Sequence, residues 1–478
     1  MVDRRVLTIQ YLPNELLLHI FSFHRLLSST NNRPPSVAWR WHTLAHVCQR
    51  WRDLIFTSLH YLEARLVIPR KSPKTTLNSW PGLPFSVWYD SEDLMSSEQM
   101  ADVVAAFEYS DRIREISLPV MMSHPLRRLN NKSFLELEHL ALSGLCPITL
   151  PHEFLGGSSP SPHWLRNIFL SYLHLPSLPQ LLLCSRDLIS LHLGCHTLTG
   201  IGFISPEVLS TALSSTTQLE YLYITCLRVT FHPELRSANF SPIILPALTY
   251  FYFGCFIEYL ENFVSRIHAP NLMKLIVHSD RCVLDVPQLS QFISRTERLS
   301  SLPFRTSMSF HFGSFSIEHH FRCLPSIQEV SHVYFRSACE GDWQWSQVDH
   351  ICTQLSLLTS SAKQLKLSAL HLPPNLQRKT DPAPWLELLT PYNDVEEIEF
   401  CGKGAPCIGI AWALEQSTRG MASELLPALH VLGIRGFHSR SIRLIMSFAA
   451  ARRRAGRPVI VRHSDQDIDW DINEMCKV

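Results

Sequence analysis

The sequence predicts an α/β chain, a small helical unit followed by a long solenoid of alternating strands and helices. Two patterns carry that expectation. Residues 12–54 hold two segments whose apolar residues fall at helical spacing. Beyond residue 112 a short motif, apolar at its first, fourth and sixth positions, returns again and again with helix-like sequence in between.

The helical unit comes first. It opens Leu12-Pro13-Asn14-Glu15-Leu16-Leu17-Leu18-His19-Ile20-Phe21, and Pro13 suits the first turn of a helix, where a missing N–H costs nothing. Leu16, Leu17, Ile20 and Phe21 then share one side of that helix. The second segment places Trp41, Leu44, Cys48, Trp51 and Ile55 on one stripe and contains Val47-Cys48-Gln49-Arg50-Trp51. So small a unit cannot bury every one of these side chains, and apolar helix surface left over marks a partner site.

These residues resemble an F-box, whose pattern is Leu-Pro-x-Glu, two aliphatics, then Ile-Phe, followed by Val-Cys-x-x-Trp. Leu12, Pro13, Glu15, Leu16, Leu17, Ile20, Phe21, Val47, Cys48 and Trp51 fill it. Two departures stand out. The connection from His24 to Ser36 is long and polar, so the first helix is expected to end in a loop there. Leu59-His60-Tyr61-Leu62 stands where the family often carries Pro-x-Leu-Trp. The resemblance implies docking on a Skp-family adaptor through Leu12, Pro13, Leu16, Leu17, Ile20, Phe21, Val47, Cys48 and Trp51. The competing reading is an ordinary helical hairpin packed on its own protein.

Next along the chain, Leu66–Ile68 is β-prone, and Phe85, Val87 and Tyr89 alternate as in a strand. A helix is expected from Ser97, with Met100, Val103, Val104 and Phe107 inward. The motif then begins as Ile113-x-x-Ile116-x-Leu118 and returns at Leu137, Leu165, Leu188, Leu219, Leu248 and Leu272, less cleanly at Leu299. After a poor unit near Ile327–Val333 it resumes with Leu365-x-Leu367, in a unit starting at 362, and then at 395 and 429. Starts at 113, 137, 165 and 188 are 24, 28 and 23 residues apart. Later spacings stretch to 33 and 34, with amphipathic stretches such as Val348, Ile351, Cys352, Leu355 and Leu358 in the added length. Ser205-Pro206-Glu207 and Asp381-Pro382 read as helix starts, the latter with an Asp cap and Pro at the first turn. The array resembles an irregular leucine-rich-repeat solenoid; the competing reading is a conventional α/β domain. The expected divisions are residues 8–65 (F-box), 66–112 (connecting segment), 113–462 (solenoid) and 463–478 (acidic tail).

Composition narrows the function classes. Of 478 residues 46% are hydrophobic and 18% charged, which are globular values. A formal charge of +1 gives no basic field for nucleic acid, and no apolar run reaches membrane length. Thirteen cysteines without paired spacing, and no apolar segment at the start, lead to reduced thiols and a cytoplasmic and/or nuclear protein as the expectation. Arg452, Arg453, Arg454 and Arg457 form a basic cluster at a helix end.

Catalytic patterns are wanting. Asp465, Asp467, Asp469 and Asp471 lack the Gly and Glu of a calcium loop, and Gly402-Lys403-Gly404 lacks the rest of a phosphate loop. His319, His320 and Cys323 have no second ligand pair. No cofactor is expected, and no enzyme activity.

The resemblance therefore implies the substrate-recognition subunit of an SCF-type cullin–RING ubiquitin ligase, holding a still unknown target protein on the solenoid. A non-ligase F-box scaffold or a plain leucine-rich-repeat interaction module is the alternative. By strand alternation, the residue between the last two apolar positions of each unit lies on the open face: Ser117, Ala141, Phe169, His192, Tyr223, Tyr252 and Ile276. Tyr221 and Tyr250 join it, so Phe169, His192, Tyr221, Tyr223, Tyr250 and Tyr252 are the expected target-binding residues, in one continuous row. Lys363 and Lys366, then Glu396, Glu397 and Glu399, are expected to turn that face basic and then acidic.

Overall fold

The computed structural model describes residues 9, 12–29, 44, 46–58, 64–68, 84–89, 96–120, 134–149, 164–174, 176–195, 204–226, 242–279, 286–299, 303–311, 314–321, 331–338, 362–369, 382–402, 405–417, 425–437 and 439–463. The chain divides into two compact units, Met1–Thr197 with Ile201–Phe203, and the remainder.

In the first unit, helices α1 (Asn14–Ser29) and α2 (Gln49–Thr57) form the N-terminal pair. The Pro13 carbonyl accepts the first helical bond, from Leu17 N at 3.1 Å. Helix α1 continues through His24 to Ser29, so it does not end where the polar connection was expected to begin. A run rich in Leu and Phe with no Gly or Pro carries it on. The third-helix positions 59–62 lie outside the described residues.

Strands β1 (Ala64–Ile68), β2 (Phe85–Tyr89), β3 (Ile113–Val120), β4 (His139–Thr149), β5 (Asn167–His174) and β6 (Ser190–Cys195) follow, each parallel to the next in chain order. Helix α3 (Ser97–Ala106) starts at a capping box. Gln99 N donates to Ser96 Oγ, and Ser96 N donates back to the Gln99 side chain. Its inward residues are Val103 and Ala106, followed by Phe107. Helix α4 (Leu178–Cys184) precedes β6.

The motif has a backbone meaning. Its first leucine is buried in a turn before the strand: Leu188 N donates to Ser185 O, Leu219 N to Thr216 O, Leu248 N to Leu245 O and Leu272 N to Ala269 O. Two consecutive amides at each strand start then share one carbonyl of the preceding rung. Ile189 and Ser190 donate to Arg166 O, Met273 and Lys274 to Thr249 O, and Glu396 and Glu397 to Lys363 O. The later two apolar residues are buried strand positions, as Leu222 and Ile224, Phe251 and Phe253, Leu275 and Val277. The same bond recurring at irregular spacing is the alternating strand/helix pattern expected of an irregular repeat solenoid.

The second unit begins with α5 (Pro206–Leu213), whose cap is the predicted Ser205, its Oγ accepting from Val208 N. Strands β7 (Tyr221–Cys226), β9 (Tyr250–Gly254) and β11 (Lys274–Ser279) run parallel, in register Tyr223↔Tyr252↔Ile276. The short strands β8 (Ile243–Ile244) and β10 (Ile267–His268) pair separately. Helices α6 (Ile257–Val264) and α7 (Pro287–Arg295) pack Leu260, Phe263 and Phe292 into the core; the Phe263 ring lies 5.9 Å from that of Phe251. The Glu261 carboxylate accepts from Gln288 N and Leu289 N at 2.8 and 2.9 Å, a negative charge on the first turn of α7. Arg295 donates to the carbonyls of Val264 and Ile267, joining successive repeats.

The regular array is then interrupted. Strand β12 (Pro303–His311) pairs antiparallel with β13 (Ser314–Phe321), which pairs antiparallel with β14 (Ser331–Ala338). It is β14, not β12, that lies beside β11, in register Leu275↔Val333 and Val277↔Phe335. The weak unit at Leu299 is therefore not the next rung, and the poor one ending at Val333 supplies it. Only Phe312 and Gly313 separate β12 from β13, too short for the crossover that parallel neighbours need. Strand β15 (Gln364–Ala369), beside β12, restores parallel pairing through β16 (Glu397–Gly402), β17 (Val431–Arg435) and β18 (Ile460–His463).

Helix α8 runs Ala383–Leu389, with Pro382 at the cap position and Pro384 in the first turn, one residue later than Asp381-Pro382 predicted. Helices α9 (Ala405–Ser417) and α10 (Ser439–Arg454) complete the unit. In α10, Arg452 corrects the expected basic cluster. It is 3% exposed and donates to the carbonyls of Pro427 and Leu429 at 3.2 and 3.0 Å, while Arg453, Arg454 and Arg457 stay exposed. Burial lowers the pKa of its guanidinium below the ordinary value. The 348–358 stretch and the acidic tail beyond 463 lie outside the described residues.

Candidate functional site

The N-terminal pair separates its apolar residues into two faces. Leu17, Phe21, Trp51, Leu54 and Ile55 form a closed core in which the Phe21 and Trp51 rings meet edge to face at 4.9 Å. Leu12 and Cys48 pack on its margin together with Leu18 and Leu44. Arg50 ties the two segments together, donating to the Leu12 carbonyl at 2.6 Å and to Asn14 Oδ1 at 2.7 Å.

The other face is open. Leu16 is 50%, Ile20 42% and Val47 57% exposed, and Pro13 is exposed beside them in sequence. Leu16 and Ile20 stand four residues apart on α1, offset by one position from the buried pair Leu17 and Phe21. The nine predicted docking residues therefore split. Pro13, Leu16, Ile20 and Val47 are accessible and Leu12 and Cys48 marginal. Leu17, Phe21 and Trp51 are buried and fill the interior that holds the helices together. Ile9, 46% exposed and three residues before Leu12, is an apolar neighbour the motif does not include.

The strand surface is the second feature. In the first unit Phe169 and His192 are in register, ring centroids 4.3 Å apart, following Ser117 and Ala141 on β3 and β4. In the second unit Tyr223 stacks on Tyr252 at 5.4 Å and on Tyr250 at 5.0 Å, and Tyr221 lies 6.2 Å from Tyr250. Two of the predicted aromatics thus lie within the first unit and four within the second.

The tyrosine group extends past the predicted residues. His278 lies 5.2 Å from Tyr252, and Tyr334 lies 5.4 Å from His278. Lys274 Nζ sits 5.3 Å from the Tyr250 ring centroid. A Cβ on Gly254 would come within 3.2 Å of the Tyr252 ring, so glycine makes room for that ring. Burial, hydrogen bonding with Tyr223 and the nearness of Tyr223 and Tyr252 push the Tyr250 phenol well above its ordinary pKa, which keeps it a neutral hydrogen-bonding group. His278 is the alternate position after Ile276, legible by carrying the strand two residues further. Tyr334 was hidden by the strand reversal.

Farther along, the expected basic and then acidic stretches neutralise each other. Lys363 pairs with Glu396 at 3.1 Å, Lys366 with Glu399 at 3.5 Å and Arg462 with Glu397 at 3.6 Å. Register Lys366↔Glu399 brings opposite charges to adjacent strands, while Arg462, opposite Gly433 on β17, reaches across that strand to Glu397 on β16.

Among the described residues no group of three or more His, Cys, Asp or Glu could hold a metal ion, and no helix is long and apolar enough to cross a membrane. The chain as a whole matches none of the curated proteins. Residues 9–62 match the F-box-like family, a non-catalytic one, so the open and closed faces of the helical pair belong to an N-terminal F-box-like interaction domain.

Proposed function

We propose that this chain is the substrate-recognition subunit of an SCF-type cullin–RING ubiquitin ligase. Its F-box-like domain docks on a Skp-family adaptor through Pro13, Leu16, Ile20 and Val47, extended by Ile9. Its solenoid, of leucine-rich-repeat type, holds the target protein. The carrying observation is that the helical pair closes its own core and still leaves Leu16, Ile20 and Val47 in water. Covering the half of each such side chain that is still in water returns about 1 kcal/mol. Transfer chemistry belongs to other subunits; this chain supplies proximity. The free thiols of Cys48, Cys184, Cys255 and Cys401 suit a reducing compartment, cytoplasm or nucleus.

Affinity capture tests the proposal, using the tagged full-length chain and a chain lacking residues 1–65, with the proteasome inhibited. Adaptor and cullin are expected with the full chain alone, and candidate targets with both. Capture of the adaptor without a cullin points to a non-ligase scaffold, and capture of neither overturns the reading.

A further inference from the structure

We infer that the tyrosine surface of the second unit binds an extended acidic peptide segment of the target, with carboxylates spaced along the strand direction. The inference rests on the strand surface being the target-binding face. The open-face positions of β7, β9, β11 and β14 are Tyr221, Tyr223, Thr225, then Tyr250, Tyr252, Gly254, then Lys274, Ile276, His278, and then, by register, His332, Tyr334 and Arg336. None is acidic. The registers place a single acidic residue at the border, Glu318 opposite Tyr334 on β13.

The contrast with β15–β18 matters. There Lys363, Lys366 and Arg462 each meet a carboxylate. No carboxylate whose side chain the structure describes pairs with Lys274, which lies against the Tyr250 ring, or with the exposed Arg336. Lys274 is in register with His332, and Arg336 with His278, four residues farther along the strands. At ~3.3 Å per residue the two cations stand about 13 Å apart along the strand direction. A single phosphate cannot span that separation, and phosphate sites gather several guanidinium groups at one point. An extended peptide with acidic residues about four positions apart matches it. The stacked tyrosines supply a broad contact area between the two charges, at little cost in side-chain entropy.

A random peptide display library, selected on the purified full-length chain, tests this. Recovered peptides are expected to be enriched in Asp and Glu, with acidic pairs about four residues apart. Their affinity should fall as salt rises and should drop roughly tenfold or more in K274E/R336E. The neutral variant K274Q/R336Q, which removes both charges without reversing them, should fall between. Adaptor binding, measured on the same preparations, should be unchanged in all variants, so failure here is separable from failure of the ligase reading. No selected peptides, peptides without net negative charge, equal affinity in K274E/R336E, or a clear preference for phosphoserine in place of the acidic residues would each overturn the inference.

Discussion

Trp51→Ala is expected to unfold the F-box-like domain, while Leu16→Ala leaves it folded. Trp51 is 7% exposed and closes the core against Phe21. Truncating a buried tryptophan to alanine costs about 3–5 kcal/mol. A single core in so small a unit rarely supplies more than about 3–5 kcal/mol, so little stability is left. Leu16, half in water, holds no such place. Hydrogen exchange on the full-length chain distinguishes the two: amides of α1 and α2 should lose protection in Trp51→Ala and keep it in Leu16→Ala. Equal protection in both variants would remove the division between core and docking face.

Arg452→Ala is expected to destabilise the second unit strongly, whereas Arg453→Ala and Arg454→Ala change little. The three are neighbours in one basic run, yet only Arg452 is buried, across the Phe448 ring, with both carbonyl contacts coming from the segment before β17. Removing it leaves two carbonyls without this donor, each at about 1–3 kcal/mol, in addition to the lost packing. A loss of roughly 3–5 kcal/mol follows, read as the denaturant midpoint of the second unit. Exposed arginines typically change stability within about 0.5 kcal/mol. If all three variants unfold alike, Arg452 is not the internal brace described.

Much of this was legible in the sequence because the apolar positions repeat. The turn leucine and the two buried strand residues recur from Leu188 to Leu272, and their period of two correctly placed Tyr223 beside Tyr252. The same reasoning could not separate Leu16 from Leu17. Adjacent leucines on a helix differ by about 100° in direction, and which one turns inward depends on where α2 packs, a tertiary fact. Motif matching names both as family positions and is silent on which holds the fold.

The reversal at β12–β14 was missed for a different reason. Both directions of a strand show the same alternation, so Pro303–His311 reads equally as a parallel rung or as half of a hairpin. The short connection Phe312-Gly313 was the available signal, and weighing it would have led to Tyr334. Charge was misread in a similar way. Lys366 and Glu399 look like separate basic and acidic stretches along the chain, yet parallel register sets them 3.5 Å apart. Arg452 read only as one member of a basic cluster at a helix end, because the sequence does not show which carbonyls lie beside it.

The most direct measurement is the affinity of the purified full-length chain for a purified Skp-family adaptor, against the Leu16→Ala/Ile20→Ala variant. Interface anchors cost about 2 kcal/mol or more each on truncation, and about 1.4 kcal/mol is tenfold. Binding should weaken roughly a hundredfold or more, with α1 and α2 still protected from exchange. A folded double variant that binds the adaptor as tightly as the unaltered chain contradicts the account.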